Sequence, residues 1–261
     1  MKTIIIIPAR YNSIRFKGKL LAPLHGIPVI EHVYKNAVQS KLASAVIVAT
    51  DNSLIFDTVK GFNGNVVMTS LKHESGTDRI AEVARDLKTS ENEYYDIIVN
   101  MQGDEPMVRH EMIDDVIKIL YDERATMGTL KKAIKSAAEM FDPNVVKVVT
   151  DAEGFAIYFS RSTIPYYRDI FGTSDNNLKL NPVELGLNIY KHIGIYSYKR
   201  ETLIKLTTLP QSELEKSEKL EQLRAIENGI KIKVKETQFE TIGVDTQLDL
   251  KKVESCLNTY S

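Results

Sequence analysis

Residues Thr3-Ile-Ile-Ile-Ile7 place four isoleucines in succession with no polar residue between them. Successive side chains of a strand point to opposite faces, so a strand of this composition must be covered on both sides. Parallel sheets flanked by helices meet that demand. The pattern recurs in Ser44-Ala-Val-Ile-Val-Ala-Thr50, Asn65-Val-Val-Met-Thr69 and Asp96-Ile-Ile-Val-Asn100, with helical segments between. Pro28, after Gly26, opens one helix, with Ile30, Val33, Tyr34, Ala37 and Val38 at helical spacing. Thr77 is expected to cap another, whose apolar face is Ile80, Ala81, Val83, Ala84 and Leu87. Four strands alternating with three helices predict a doubly wound α/β unit with right-handed crossovers.

Beyond residue 105 the pattern changes. A helix is expected from Met112 to Leu120. Val145–Val149 and Phe155–Phe159, joined by the tight turn Asp151-Ala-Glu-Gly154, read as an antiparallel pair. Residues 168–188 have weak periodicity and read as a long loop. His192–Tyr198 is a further strand. Ser212 and Glu215 form a capping box for a helix carrying Leu220, Leu223 and Ile226 and stopping at Gly229. Ile230–Val234 alternates like a half-exposed strand, and the last helix spans Leu248 to Leu257. No repeat, linker or low-complexity segment interrupts the chain, so it reads as one unit with a mixed α+β lobe grafted on a mostly parallel sheet.

Composition limits the partners. Across 261 residues, 34 basic and 35 acidic side chains leave a net charge of −1, without the basic excess of a nucleic-acid binder or a polybasic membrane binder. No apolar run approaches the roughly 18 residues of a membrane span, and the apolar start is too short for a signal-peptide core. Cys256 is the single cysteine, which excludes an internal disulfide and a cysteine-rich zinc site. It falls with Leu250 and Val253 on the apolar face of the last helix, where a core role is expected. A soluble, cytoplasmic protein is the expectation.

In open α/β sheets ligands bind beyond the carboxyl ends of the strands. After the first strand, Pro8–Lys19 carries Arg10, Arg15, Lys17 and Lys19, which suits a polyphosphate and equally describes a solvated basic loop. The loop is neither a Walker A sequence nor a Gly-x-Gly-x-x-Gly fingerprint. The fourth strand ends in Asn100-Met-Gln-Gly-Asp-Glu-Pro106, where Asp104 and Glu105 either hold Mg²⁺ or form a polar turn. Asp245 precedes the last helix and is a second acidic candidate or a helix cap. Ser75, Gly76 and Thr77 open a helix and offer amides and hydroxyls to a ligand, or simply cap it. His25, His32, His73, His110 and His192 show no metal-ligand spacing. No Gly-x-Ser-x-Gly elbow appears.

Taken in order, Ile7–Lys19, Val48-Ala-Thr-Asp51, Met68-Thr-Ser70 with Ser75-Gly-Thr-Asp-Arg79, Gln102-Gly-Asp-Glu-Pro106, Tyr158-Phe-Ser-Arg161, His192-Ile-Gly-Ile-Tyr196, Leu220-Glu-Gln-Leu-Arg224 and Val244-Asp-Thr246 resemble the 3-deoxy-manno-octulosonate (Kdo) cytidylyltransferases. The resemblance covers nearly the whole chain. It implies a Rossmann-like fold of the nucleotide-diphospho-sugar transferase type, a nucleotide-binding part at about 1–125 and 230–261, and a sugar-binding and dimerisation lobe at about 126–229. It implies Mg²⁺-dependent transfer of CMP from CTP to the 2-hydroxyl of Kdo for lipopolysaccharide synthesis, by a homodimer. Arg10, Arg15 and Lys19 would bind the triphosphate and, with Asp104, form the catalytic set. Ala9, Arg10, Ser75, Gly76 and Gln102 would line the nucleotide, and Asp104 and Asp245 would hold Mg²⁺. Arg161, His192, Tyr196, Glu221 and Gln222 would form the sugar pocket. Relatives commonly have Pro at the positions of Lys17 and Leu21, and Asp where this chain has Asn52. Transfer to an 8-amino-Kdo or a nonulosonic acid is the nearest rival, and a non-catalytic CTP sensor is the rival from another class.

Overall fold

The computed structural model describes residues 1–13, 15–171 and 181–259. In chain order the elements are β1 (Thr3–Ala9), a 3₁₀ turn (Lys19–Leu21), β2 (Pro23–Leu24), β3 (Ile27–Pro28), α1 (Val29–Ala37), β4 (Ala45–Thr50), α2 (Ser53–Gly61), β5 (Val66–Met68), α3 (Gly76–Asp86), β6 (Ile97–Asn100) and α4 (His110–Ile119). Then come β7 (Met127–Ala133), α5 (Ala137–Phe141), β8 (Lys147–Thr150), β9 (Ala156–Ser160), α6 (Arg168–Phe171), β10 (Tyr190–Lys199), α7 (Arg200–Leu206), α8 (Glu213–Glu218), α9 (Gln222–Glu227), β11 (Ile232–Glu236) and α10 (Gln247–Thr259). The main sheet runs β11-β7-β10-β6-β1-β4-β5, with β8 and β9 attached beside β10.

β1 pairs in parallel with β4 and β6, and β5 continues parallel on β4. The isoleucine run explains why β1 is central. Ile5 and Ile7 enter one core with α1, α2, α4 and α10, while Ile4 and Ile6 enter the opposite core with α3, α7 and α9. Each buried isoleucine contributes about 1.5–3 kcal/mol, so only a site flanked by helices on both faces satisfies the run. β10 then inserts antiparallel between β6 and β7, and β11 runs parallel to β7. The lobe is thus an outgrowth of the sheet, with its own small core of Ile134, Met140, Leu187 and Ile189. Among the described residues no helix is long and apolar enough to cross a membrane.

Several expectations need correction. The cap of α3 is Ser75, not Thr77: the Asp78 amide donates to its hydroxyl and Asp78 returns the bond in a capping box, while Thr77 is buried in the first turn. The helix opened by Ser212 is two helices, because Lys219 adopts a left-handed conformation (φ 54°) that ends α8 before α9 begins. Pro28 precedes α1 as its cap, and Val38, expected on its apolar face, is the exposed C-cap. Residues 168–188 are not all loop. Arg168–Phe171 is helical, Phe171 packs on Tyr166 and Tyr167, and Leu187 is buried, while 172–180 lie outside the described residues. Cys256 packs at the edge of the larger core, as expected. Asn52, the departure noted above, caps α2 by accepting from the amides of Leu54 and Ile55.

Candidate active site

The carboxyl ends of the parallel strands β1, β4, β5 and β6 lie at one end of the sheet, and Arg10, Asn12, Ser13 and Lys19, which follow β1, line a cleft with residues after β6 and at the start of α3. Gly18 turns the chain in the left-handed region (φ 72°), and its amide donates to Tyr11 O at 3.0 Å. That turn separates the basic residues expected to act together. Lys19 faces inward, whereas Lys17 is exposed and lines a different depression with Tyr11, Phe16 and Gln247. Lys17 is therefore not part of this site.

Lys19 Nζ donates to Asp104 Oδ2 at 2.5 Å and to Asp245 Oδ1 at 2.9 Å, and Arg15 Nη2 reaches Asp245 Oδ2 at 3.0 Å. Burial pulls the Lys19 ammonium down, but Asp104 and Asp245 outweigh it and hold the group above its ordinary range. Two long-range contacts bring Asp245 there. The Val244 amide donates to Asp104 O at 2.8 Å, and Gly243 lies so close to Glu105 that a Cβ would stand 3.0 Å from its Oε1. The helix-cap alternative for Asp245 fails, because Thr246 and Asp249 cap α10 mutually and leave the Asp245 carboxylate for Lys19 and Arg15. Glu105 has a buried Oε2 without a partner among the described residues, and burial together with Asp104 and Asp245 pushes its carboxyl up to about 8.

Arg10 donates to His73 O at 2.6 Å and Glu74 O at 2.8 Å, so it also clamps the loop that precedes α3. Burial and neighbouring Arg79 lower its pKa. Behind it Arg79, fully buried, donates to Asp51 at 2.6 Å and Thr69 at 2.5 Å, joining the ends of β4 and β5 to α3. Gly76 and Gly103 permit close approach to β1. A Cβ at Gly103 would lie 3.0 Å from Pro8 O, and one at Gly76 3.4 Å from Pro8 Cγ.

The result is three adjoining clefts. One of about 240 Å³ holds Arg10, Lys19, Gly76, Gln102 and Asp104, with Asn12 and Ser13, which the sequence did not single out. Ala9, expected along the nucleotide, is fully buried and does not line this cleft. A second of about 140 Å³ shares Gly76 and Gln102 and holds Tyr196, Glu221 and Gln222. The third, about 660 Å³, holds Arg15, Asp245, Arg161, Lys191 and His192. The five residues expected around a sugar thus divide between the second and third clefts, joined where the rings of His192 and Tyr196 stand 5.2 Å apart.

Their environments differ. The Tyr196 hydroxyl is buried and has no partner among the described residues, and burial raises its pKa well above the ordinary value. Burial also raises Glu221, against a bond from Thr77. Arg161 is fixed by Nε to Glu218 O at 2.7 Å and Nη1 to Pro143 O at 3.0 Å, leaving Nη2 without a partner among the described residues. Lys147, fully buried, anchors the same loops by donating to the carbonyls of Asp142, Val145 and Arg161.

Comparison with known proteins gives concordant likenesses. A family model described as cytidylyltransferase matches residues 4–232. A 3-deoxy-manno-octulosonate cytidylyltransferase of Thermodesulfovibrio yellowstonii is 51% identical, covering 100% of both chains, and one of Geobacter sulfurreducens is 49% identical over 97% of this chain and 98% of its own. A solved CMP:2-keto-3-deoxy-manno-octonic acid synthetase complexed with CTP superposes with TM-score 0.87 and 40% identity over 100% of both chains. A 4-diphosphocytidyl-2C-methyl-D-erythritol synthase from Anaerococcus prevotii, 15% identical and covering 98% of each chain with TM-score 0.61, shares the fold.

Proposed function

The chain belongs to the 3-deoxy-manno-octulosonate cytidylyltransferases, the CMP-Kdo synthetases, and from that membership we propose a role for each residue of the clefts. The enzyme transfers CMP from CTP to Kdo, giving CMP-Kdo and diphosphate for lipopolysaccharide synthesis. The Kdo 2-hydroxyl oxygen forms a bond to the α-phosphorus, the bond to the β-phosphate oxygen breaks, diphosphate leaves with the electron pair, and the hydroxyl proton is released. Positioning and charge neutralisation carry most of such a reaction.

We assign Arg10, Arg15 and Lys19 to the triphosphate, with Ser75, Gly76 and Gln102 along the nucleotide. Arg161, His192, Tyr196, Glu221 and Gln222 take the sugar acid, the free Nη2 of Arg161 being suited to its carboxylate. Mg²⁺ is assigned to Asp104 and Asp245. The fit is favourable, since these two carboxylates already converge on one cation, Lys19, and Mg²⁺ takes one or two carboxylates with substrate phosphates and water. When bound it supplies positive charge to the α-phosphate and the leaving diphosphate. The lobe at about 126–229 is assigned to dimerisation, supported by exposed Phe141, Ile157 and Tyr166.

The observation that carries this reading is the shared lysine between two carboxylates at the mouth of the 240 Å³ cleft. Asp104→Asn is expected to abolish diphosphate release with CTP, Kdo and Mg²⁺ while leaving the circular dichroism spectrum unchanged. Near wild-type turnover would overturn the metal assignment. Running the same assay with UTP, with 8-amino-Kdo and with nonulosonic acids is expected to favour CTP and Kdo.

A further inference from the structure

β7 and β10 pair antiparallel, with a shift of register between Ile193 and Tyr196. The shift brings two carbonyls onto one hydroxyl: Thr129 Oγ1 lies 3.1 Å from Ile193 O and 2.8 Å from Ile195 O. Its third neighbour is His192 Nε2, at 3.0 Å. Thr129 is fully buried, and its hydroxyl has one proton to give. Were Nε2 unprotonated, three acceptors would compete for that proton and the losers would face lone pairs in a buried site. With hydrogen on Nε2, the two closer contacts are complementary: Nε2–H donates to Thr129 Oγ1, and the hydroxyl donates to Ile195 O, the nearer carbonyl, so that only the longer approach of Ile193 O lacks a proton. We propose that Thr129 is a positioning residue that fixes His192 as the Nε2–H tautomer, leaving Nδ1 as a lone-pair acceptor for a hydroxyl of the sugar acid.

The rest of the surroundings agrees. The His192 ring lies against Phe159, edge-on at 5.2 Å and 85°, and against Tyr196, so it cannot turn without disturbing both. It lines the 660 Å³ cleft, and its Nδ1 has no hydrogen-bond partner among the described residues. Lys191 and Arg161 in the same cleft are donors only and suit a carboxylate. A neutral acceptor beside them reads an alcohol instead. Burial also disfavours the imidazolium, pushing the ring's pKa down to about 3.

The inference rests on the assignment of His192 to the sugar pocket, and the experiment separates the two. Long-range ¹H–¹⁵N correlation spectra of the wild-type enzyme are expected to show His192 neutral with its proton on Nε2. Thr129→Val is expected to blur that tautomer and raise KM for Kdo about tenfold, the value of one hydrogen bond, with KM for CTP unchanged. Thr129→Ser is expected to restore both. A wild-type spectrum with the proton on Nδ1, or an unchanged KM for Kdo in Thr129→Val, overturns the inference. If Thr129→Val does not fold, the wild-type spectrum alone decides. His192→Phe tests the underlying assignment: unchanged KM for Kdo removes His192 from the sugar pocket, whereas a raised KM with an Nδ1–H spectrum refutes only the role of Thr129.

Discussion

Replacing Lys19 by Met removes the one ammonium between Asp104 and Asp245 while keeping the apolar stem. The contact to Asp104 joins side chains only 12% and 26% exposed, and a hydrogen bond of this charged kind is worth about 1.5–3 kcal/mol. Asp245 is 45% exposed, so that contact adds at most about 1 kcal/mol after screening. The loss is therefore about 1.5–4 kcal/mol. At about 2–4 °C per kcal/mol for a chain of this size, the midpoint should fall by about 3–16 °C. Asp104, now without its cation, and Asp245, left with Arg15 alone, should gain more from Mg²⁺ than in the wild type, by the linkage of binding to stability. Thermal denaturation in EDTA and in millimolar Mg²⁺, for wild type and variant, measures both quantities. A variant midpoint equal to wild type in EDTA, or a Mg²⁺-induced gain no larger than that of the wild type, would refute the reasoning.

Two further outcomes follow from groups around the clefts. Arg79→Met leaves the half-buried Asp51 without the fully buried guanidinium that donates to it and is expected to cost about 1.5–3 kcal/mol in urea denaturation, with Asp51→Asn milder; a loss below 1 kcal/mol would contradict the pairing. His192 is neutral when folded, with its pKa near 3, against an ordinary value of 6.5 in the unfolded chain. Above pH 6.5 both states are unprotonated and the group has no effect. As pH falls from 6.5 towards 3 the unfolded chain takes up the proton alone, so stability declines. The difference in unfolding free energy between wild type and His192→Gln should change with pH in that window, and a constant difference would sink the argument.

The parallel half of the fold is legible because its signals are local. An unbroken isoleucine run admits few environments, and the strands at 45–50, 66–68 and 97–100 follow the same rule. β7 is not legible. Its sequence Met127-Gly-Thr-Leu-Lys-Lys-Ala133 carries a glycine and two lysines, and its reasons are tertiary. A Cβ at Gly128 would stand 2.7 Å from Ile119 Cγ2 and Ser197 Oγ, and Lys132 is buried by donating to Gln238 O at 2.5 Å. Because that strand went unread, Thr129 gave no signal at all. The metal candidates show the same division. Asp104 stands at a strand end that a local pattern marks, whereas Asp245 is brought in by a backbone bond and a glycine contact from more than a hundred residues away. Lys17 and Lys19 look alike in sequence, and only the left-handed turn at Gly18 sends them to different faces.

The outer strands of the sheet decide how the chain behaves in company. β5, at one end, offers three residues of unpaired backbone, too little to template another strand. β11, at the other, is already engaged: the Val234 amide donates to Gly154 O at 2.8 Å, and Phe155 bridges to Lys233. Strands from neighbouring molecules therefore find little to extend at either end. Growth by strand addition at these two ends is thereby disfavoured, although the isoleucine run at the sheet's centre is the kind of apolar, β-forming segment that stacks readily once exposed.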